Sequence, residues 1–307
     1  WRVGKNSPKK LYYRLLSEFM LQQTQVKTVI PYFKKFTKKF KTLKSLSRCS
    51  EQKILKLWEG LGYYRRARNL LKCSKLLVKN YNFKLPETID EIKQLPGIGE
   101  YTGNALLGLV HDQPTIAIDG NVKRIFSRLL NKEVKKVNFE KIILLNKSKL
   151  FKTNRNSDFV EGIMEFGALV CKPKNPKCVS CCLNKKCKYF KSSIKIKVSK
   201  KKMVKKKNYN IFCYINKNKQ IALTKKNQLG FLKNFNLPRI EETNRFADTK
   251  NWKFLKKYKN SISNLELNIN LYYKFSDKIP SYYNWYSLEN NKEFVPSFTK
   301  KVFRQVS

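Results

Sequence analysis

Leu95-Pro96-Gly97-Ile98-Gly99 stands between two stretches whose apolar residues recur at three and four. Gly97 and Gly99 permit tight turning, and the free backbone N–H groups at the start of the next helix can face a phosphate. The five residues read as an ordinary glycine-containing helix connection or as a helix-hairpin-helix, an element that grips the DNA backbone without reading its sequence. Working outward, helical spacing recurs over residues 11–22, 26–40, 52–58, 65–79, 101–110, 122–130, 139–150 and 159–170. Pro, Gly, Asn and Ser punctuate the connections, as at Pro86 and residues 154–157. Residues 1–190 are therefore expected to be mainly α. Residues 191–207 are a Lys/Ser run with little periodicity, expected to be a basic linker. Beyond it the pattern shortens. Residues 209–215, 220–224, 267–275 and 281–287 read as strands of a smaller α+β domain over 208–307.

The chain has 307 residues, long enough for two domains with their own cores. A hydrophobic fraction of 41% with 13% aromatic residues excludes a disordered polycation. No apolar run is long enough for a transmembrane helix, and no secretory signal follows Trp1-Arg2-Val3. The chain starts without Met, so further residues are expected to precede it. Lys and Arg number 67 against 21 Asp and Glu, a formal charge of +46. Nucleic acid is the obvious partner for such a charge, although an anionic membrane surface would also satisfy it. Only 12 of the 67 basic residues are Arg, and the Lys, Asn and Ile excess is what an A/T-rich coding sequence produces. Charge alone therefore carries little. The cysteines of a long chain without a secretion signal point to reduced thiols in the cytoplasm.

Cys171, Cys178, Cys181 and Cys187 follow the pattern C-x6-C-x2-C-x5-C. Four thiolates so close, with no His among them, suit zinc or an iron–sulfur cluster. Cys182 could replace Cys181 in one register. Two carboxylates also stand out. On a helical wheel Leu15, Leu16, Phe19 and Met20 form the core stripe, and Glu18 shares another edge with Leu21. A solvated helix Glu is the bland reading; a carboxyl beside Leu21, with its pKa raised by desolvation, is the functional one. Asp119 follows Ile116-Ala117-Ile118 and precedes Gly120-Asn121-Val122-Lys123-Arg124. It reads as a helix N-cap, or as a carboxylate facing a cleft.

Five segments occur in one order: SEFMLQQTQV (17–26), GLGYYRRARNL (60–70), LPGIG (95–99), DGNVKR (119–124) and the four-cysteine loop at 171–187. Together they closely resemble the MutY-type adenine DNA glycosylases of the helix-hairpin-helix, iron–sulfur superfamily, over most of residues 1–190. The resemblance implies two helical subdomains with a cleft between them and a 4Fe–4S cluster. It implies removal of adenine mispaired with 8-oxoguanine or guanine in double-stranded DNA, by a monomer at the bacterial nucleoid. Glu18 matches the family's catalytic acid, Asp119 its catalytic aspartate and Asn121 a polar neighbour. Tyr101 falls where bifunctional relatives carry a Schiff-base Lys, implying little lyase activity. Trp1, Arg2, Leu21 and Glu161 match positions lining the adenine pocket, with a longer spacing from Trp1 to Glu18 than the family shows. Gln23 and Tyr63 match residues that wedge into the duplex. Cys182 stands where the family has Pro, which leaves the outer four cysteines as the implied ligands.

More faintly, residues 208–307 resemble the family's Nudix-like 8-oxoguanine recognition domain. GFLKNFNLP (230–238) and Ile262-Ser263-Asn264 lie where the family has a Gly-rich segment and a Phe-Ser-His loop, of which only Ser263 is kept. No acidic Nudix hydrolase motif is visible, so no pyrophosphatase is expected. The rivals are an oxidised-pyrimidine glycosylase/lyase, which needs the Lys that Tyr101 replaces, and a non-catalytic DNA binder, which needs neither carboxylate.

Overall fold

A computed structural model describes residues 7–152, 154–194, 205–226, 229, 232–243, 249–262, 265–287 and 294–306. Trp1, Arg2, Ser263 and Asn264 lie outside these residues, as do Gly230 and Phe231 and most of the expected linker. Two compact units divide the chain, residues 1–200 and 201–307.

The first unit is helical. Helix α1 (Lys10–Leu21) is its centre, with α2 (Val26–Lys39), α5 (Arg65–Asn80) and α7 (Glu100–His111) packed around it. The expected stripe of α1 is the core: Leu15, Leu16, Phe19 and Met20 are each fully buried. Short helices α3 (Leu43–Ser47) and α4 (Glu51–Trp58) complete this layer. Trp58 is also fully buried, edge-on to Phe36 at 5.7 Å. Helices α8 (Gly120–Leu130) and α11 (Asn156–Leu169) pack on each other, and α11 packs on α7.

Eight stretches expected to be helical are helical, with ends shifted by up to three residues. The stretch 139–150 is instead two helices, α9 (Phe139–Leu145) and α10 (Lys147–Leu150), because Asn146 leaves the helical conformation and its side chain bonds back to the Ile142 carbonyl at 2.8 Å. Three helices are too short to show a period: α3, α6 (Ile89–Lys93) and α12 (Lys188–Lys191). Two of these carry capping signals in the sequence. Thr42 and Ser45 cap α3 reciprocally, and the Thr88 side chain accepts from the Glu91 N–H at the start of α6.

Leu95–Gly99 connects α6 to α7. Leu95 and Ile98 point into the core, while Gly97 and Gly99 lie at the surface. Gly97 has φ +82°, a left-handed conformation that disfavours side chains. A Cβ there would also lie 2.7 Å from the Asn69 Cβ and 2.9 Å from the Phe19 ring, so the turn sits hard against α5 and α1.

The second unit is a mixed six-stranded sheet with the order β4-β5-β1-β2-β6, and β3 pairing with β1. Its strands are β1 (Lys205–Ile215), β2 (Ile221–Leu223), β3 (Arg239–Glu242), β4 (Lys253–Ile262), β5 (Leu265–Phe275) and β6 (Asn284–Tyr286). Strands β1 and β5 run parallel in register, while β4 pairs antiparallel with β5. One helix, α13 (Ser297–Val306), buries Phe298, Val302 and Phe303. The expected linker is corrected at both ends: Lys188–Lys191 are helical, and Lys205–Lys207 already belong to β1, paired with Leu265–Leu267. Strands β3 and β4 were not expected. Strand β4 is a Lys-rich sheet edge with its first five residues exposed, so backbone pairing rather than apolar alternation defines it.

Gly97→Ala should cost about 2 kcal/mol or more, from φ strain and the two contacts together. Urea unfolding monitored by tryptophan fluorescence would measure it.

Candidate active site

Glu18 is on α1, one residue before Phe19, and only 4% of its surface is exposed. The solvated reading is therefore excluded. Burial pushes its carboxyl up to about 7; Arg14 pulls it down, and the charges of Asp119 and Glu161 push it further up. The three neighbours come from three directions: Arg14 one turn back on α1, Asp119 at the start of α8, and Glu161 on α11.

Both readings of Asp119 hold together. It caps α8, its Oδ1 accepting from the Asn121 and Val122 N–H groups at 2.8 Å each. Its Oδ2 accepts from Asn121 Nδ2 at 2.8 Å. The same carboxylate faces Glu18 closely enough to affect its proton. Asn121 is held in turn: its Oδ1 accepts from Arg124 Nη2 at 2.7 Å. Arg124 donates onward to the Gly167 carbonyl at 2.7 Å and to the Cys171 carbonyl at 2.8 Å. Helix α11 approaches this cap closely, since a Cβ on Gly167 would lie 2.6 Å from the Asn121 Cβ. A continuous chain of hydrogen bonds thus runs from Asp119 to the cysteine loop.

Tyr101 lies on α7 against Ala105, Leu109, Ala117 and Val160. Burial raises its phenol well above the ordinary tyrosine range, and Glu18 and Asp119 add to this, so it remains a protonated donor. Glu161 is gripped by Arg14 through two bonds, Nη1 to Oε1 at 2.8 Å and Nη2 to Oε2 at 3.1 Å. Leu21 ends α1 three residues after Glu18 and is partly exposed.

Gln23 and Tyr63 are both exposed and both left-handed, with φ of 56° and 48°. Arg66 ties their turns together. Its guanidinium donates to the carbonyls of Phe19, Met20 and Gln22 on one side, and to those of Leu61 and Gly62 on the other. It also lies 5.4 Å from the ring centres of Trp58 and Tyr63. Beside these turns Gln22 Nε2 donates to the Gly97 carbonyl at 3.3 Å, joining them to the hairpin. Gly99 opens α7 without a side-chain cap, which leaves the first N–H groups of that helix open to an anion.

Cys171, Cys178, Cys181 and Cys187 line one cavity with Ile125, Arg128 and other residues, and Cys182 does not line it. Cys182 is exposed, whereas the other four are half-buried. Among the described residues no group of three or more His, Cys, Asp or Glu side chains is arranged to hold a metal ion. Two donors face the sulfurs: Arg128 Nη1 lies 3.3 Å from Cys171 Sγ, and the Leu183 backbone N lies 3.4 Å from Cys181 Sγ.

The arginines were the residues that sequence reasoning missed. Arg14, Arg66, Arg124 and Arg128 are all buried, and no lysine is buried among the described residues. Only Arg14, set beside the apolar stripe of α1, offered a signal in the sequence; Arg66, Arg124 and Arg128 stand in helices rich in polar and basic residues.

A model for the HhH-GPD superfamily of base excision DNA repair proteins matches residues 16–145, a range that includes Glu18, the hairpin and Asp119. The adenine DNA glycosylase of Buchnera aphidicola subsp. Baizongia pistaciae is 34% identical, covering 94% of this chain and 86% of its own. That of Buchnera aphidicola subsp. Schizaphis graminum is 37% identical, covering 87% and 78%. A solved structure of a thermostable thymine-DNA glycosylase has the same fold over 61% of this chain and 87% of its own, with a TM-score of 0.53 and 25% identity. A helical fold with this hairpin, matched in this way, defines a base-excision DNA glycosylase. The chain belongs to the MutY-type adenine DNA glycosylases, which act on DNA and remove adenine by cleaving its N-glycosyl bond.

Glu18 also affects stability. Its folded carboxyl holds a proton more tightly than the unfolded one, so folding is disfavoured once the unfolded group ionises. Stability from this group is intact below about pH 4.5, falls as pH rises to about 7, and is then lower by about 3 kcal/mol. Glu18→Gln should therefore match the parent at pH 4 and exceed it by that order at pH 8 in urea unfolding.

Proposed function

We propose that this glycosylase removes adenine paired with 8-oxoguanine, or with guanine, by hydrolysis and with little lyase activity. The observation that carries this reading is the unequal pair of carboxylates: Glu18 is buried and holds its proton near neutral pH, while the Asp119 carboxylate accepts three hydrogen bonds.

The target adenine must leave the stack, which costs a few kcal/mol. Gln23 and Tyr63, fixed on their turns by Arg66, enter the gap it leaves. The hairpin N–H groups and nearby lysines hold phosphates. Protonated Glu18 donates to N7 of the flipped base, so the electron pair of the C1′–N9 bond leaves with a neutral base. Positive charge develops on the sugar, and the Asp119 carboxylate stabilises it or captures it covalently. Glu18, now a carboxylate, takes a proton from the attacking water. Tyr101 and Asn121 orient the participants, and Leu21 and Glu161 line the base pocket. Tyr101 has no amine to form a Schiff base, which supports a hydrolytic course.

The cysteine cavity fits a 4Fe–4S cluster held by Cys171, Cys178, Cys181 and Cys187. That these four cysteines line one cavity while Cys182 does not supports this choice of ligands. Bound there, the cluster would cross-link the loop whose Cys171 carbonyl receives Arg124. We further read residues 208–307 as a Nudix-like domain that checks for 8-oxoguanine with the Ser263 loop, and the enzyme as a monomer working in the cytoplasm at the nucleoid. The mixed sheet, with one helix among the described residues, supports an α+β domain of that kind.

Single-turnover excision from duplexes with 8-oxoguanine, guanine or cytosine opposite adenine tests the substrate. The rate should fall above about pH 7 as Glu18 ionises. Glu18→Gln should keep DNA affinity and lose at least about a thousandfold in rate; strong residual excision would reject the assigned acid. An abundant borohydride-trapped adduct would point to a lyase instead. Cys178→Ser should lower iron content, and Cys182→Ser should not.

A further inference from the structure

Arg14 is buried on α1, on the side of the helix that carries Glu18 and off the stripe of Leu15, Leu16 and Phe19. Its fork closes on Glu161, with side-chain exposures of 7% and 15%. A buried ion pair is a poor stabiliser, since apolar residues of similar size serve as well or better. Nor is this one fully satisfied: Arg14 Nε is buried without a hydrogen-bond partner among the described residues. Stability alone therefore does not account for Arg14. Its place does, because it lies one helical turn from Glu18.

Glu18 is surrounded by groups from four elements. Arg14 is on its own helix, Tyr101 on α7, Asp119 at the start of α8 and Glu161 on α11. The Arg66 guanidinium of α5 reaches only the carbonyl end of α1. Two carboxylates and a phenol thus face the acid, with Arg14 as the cation acting on it. Two negative neighbours alone would make Glu18 hold its proton too tightly to release it to a base at neutral pH.

We propose that Arg14 is a positioning residue that fixes the Glu161 carboxylate within the base pocket and, from one turn away, offsets the two carboxylates around Glu18. This rests on the reading of Glu18 as the acid. Lysine cannot reproduce the two-pronged grip, but it does reproduce the charge. The two functions of Arg14 are therefore separable.

The test is the pH dependence of single-turnover adenine excision by the full chain, in four variants. Arg14→Met should move the alkaline limb upward by about one pH unit. Glu161→Gln should move it downward. The double variant should return it close to the parent value, because the two charges are lost together. Arg14→Lys should keep the parent limb yet weaken capture of the base, seen as a higher KM with little change in kcat. Folding of each variant is checked by thermal melting. If Arg14→Met does not fold, a lowered limb in Glu161→Gln beside an unmoved limb and a raised KM in Arg14→Lys still decides. Limbs of Arg14→Met and Glu161→Gln that move in the same direction, or an Arg14→Lys limb that shifts with Glu161→Gln, would overturn the role of Arg14 while leaving the acid in place. A well-folded parent that releases no adenine would overturn the acid and Arg14 alike.

Discussion

Keeping a carboxyl group out of water is the constraint on which the catalytic unit depends. The burial of Glu18 costs about 3 kcal/mol once the solvent is more basic than the group. The same helix offsets this with its other face. Leu15, Leu16, Phe19 and Met20 are fully buried, and together they contribute on the order of 6–12 kcal/mol. The acid can therefore sit in a dry environment only because it is carried by the most deeply packed helix of the unit. A carboxyl group on a loop would have no such compensation.

The basic residues of this protein divide into two populations. Lysines cover its surface and supply most of the charge of +46. The four buried arginines have structural duties that a lysine cannot perform, because each grips several acceptors with one planar group. Arg66 joins five carbonyls from two turns. Arg124 and Arg128 join α8 to the backbone of the cysteine loop. Lysine thus dominates the exterior, while the forked contacts inside are made by arginine.

The hairpin, the two carboxylates and the cysteine pattern were legible in the sequence because their chemistry demands particular residues at particular spacings. The helical periodicity was legible for the same reason. The burial of Glu18 was not, since its wheel position lies off the stripe of α1 and the covering groups come from α7, α8 and α11. Arg66 left no pattern either, because its partners are carbonyls that any residue could supply. Strand β4 has a lysine-rich exposed edge with no apolar alternation, and its identity comes only from pairing with β5.

The hydrogen-bond chain from Asp119 through Asn121 and Arg124 ends on carbonyls at Gly167 and Cys171. These acceptors are made more than forty residues after the carboxylate they brace. Glu161, the partner of Arg14, is likewise made 147 residues after it. During synthesis, a growing chain that already contains both carboxylates and the hairpin still lacks what aligns them. The order of residues along the chain therefore delays the bracing of the two carboxylates until the cysteine loop has emerged, and an unfinished polypeptide holds them unaligned.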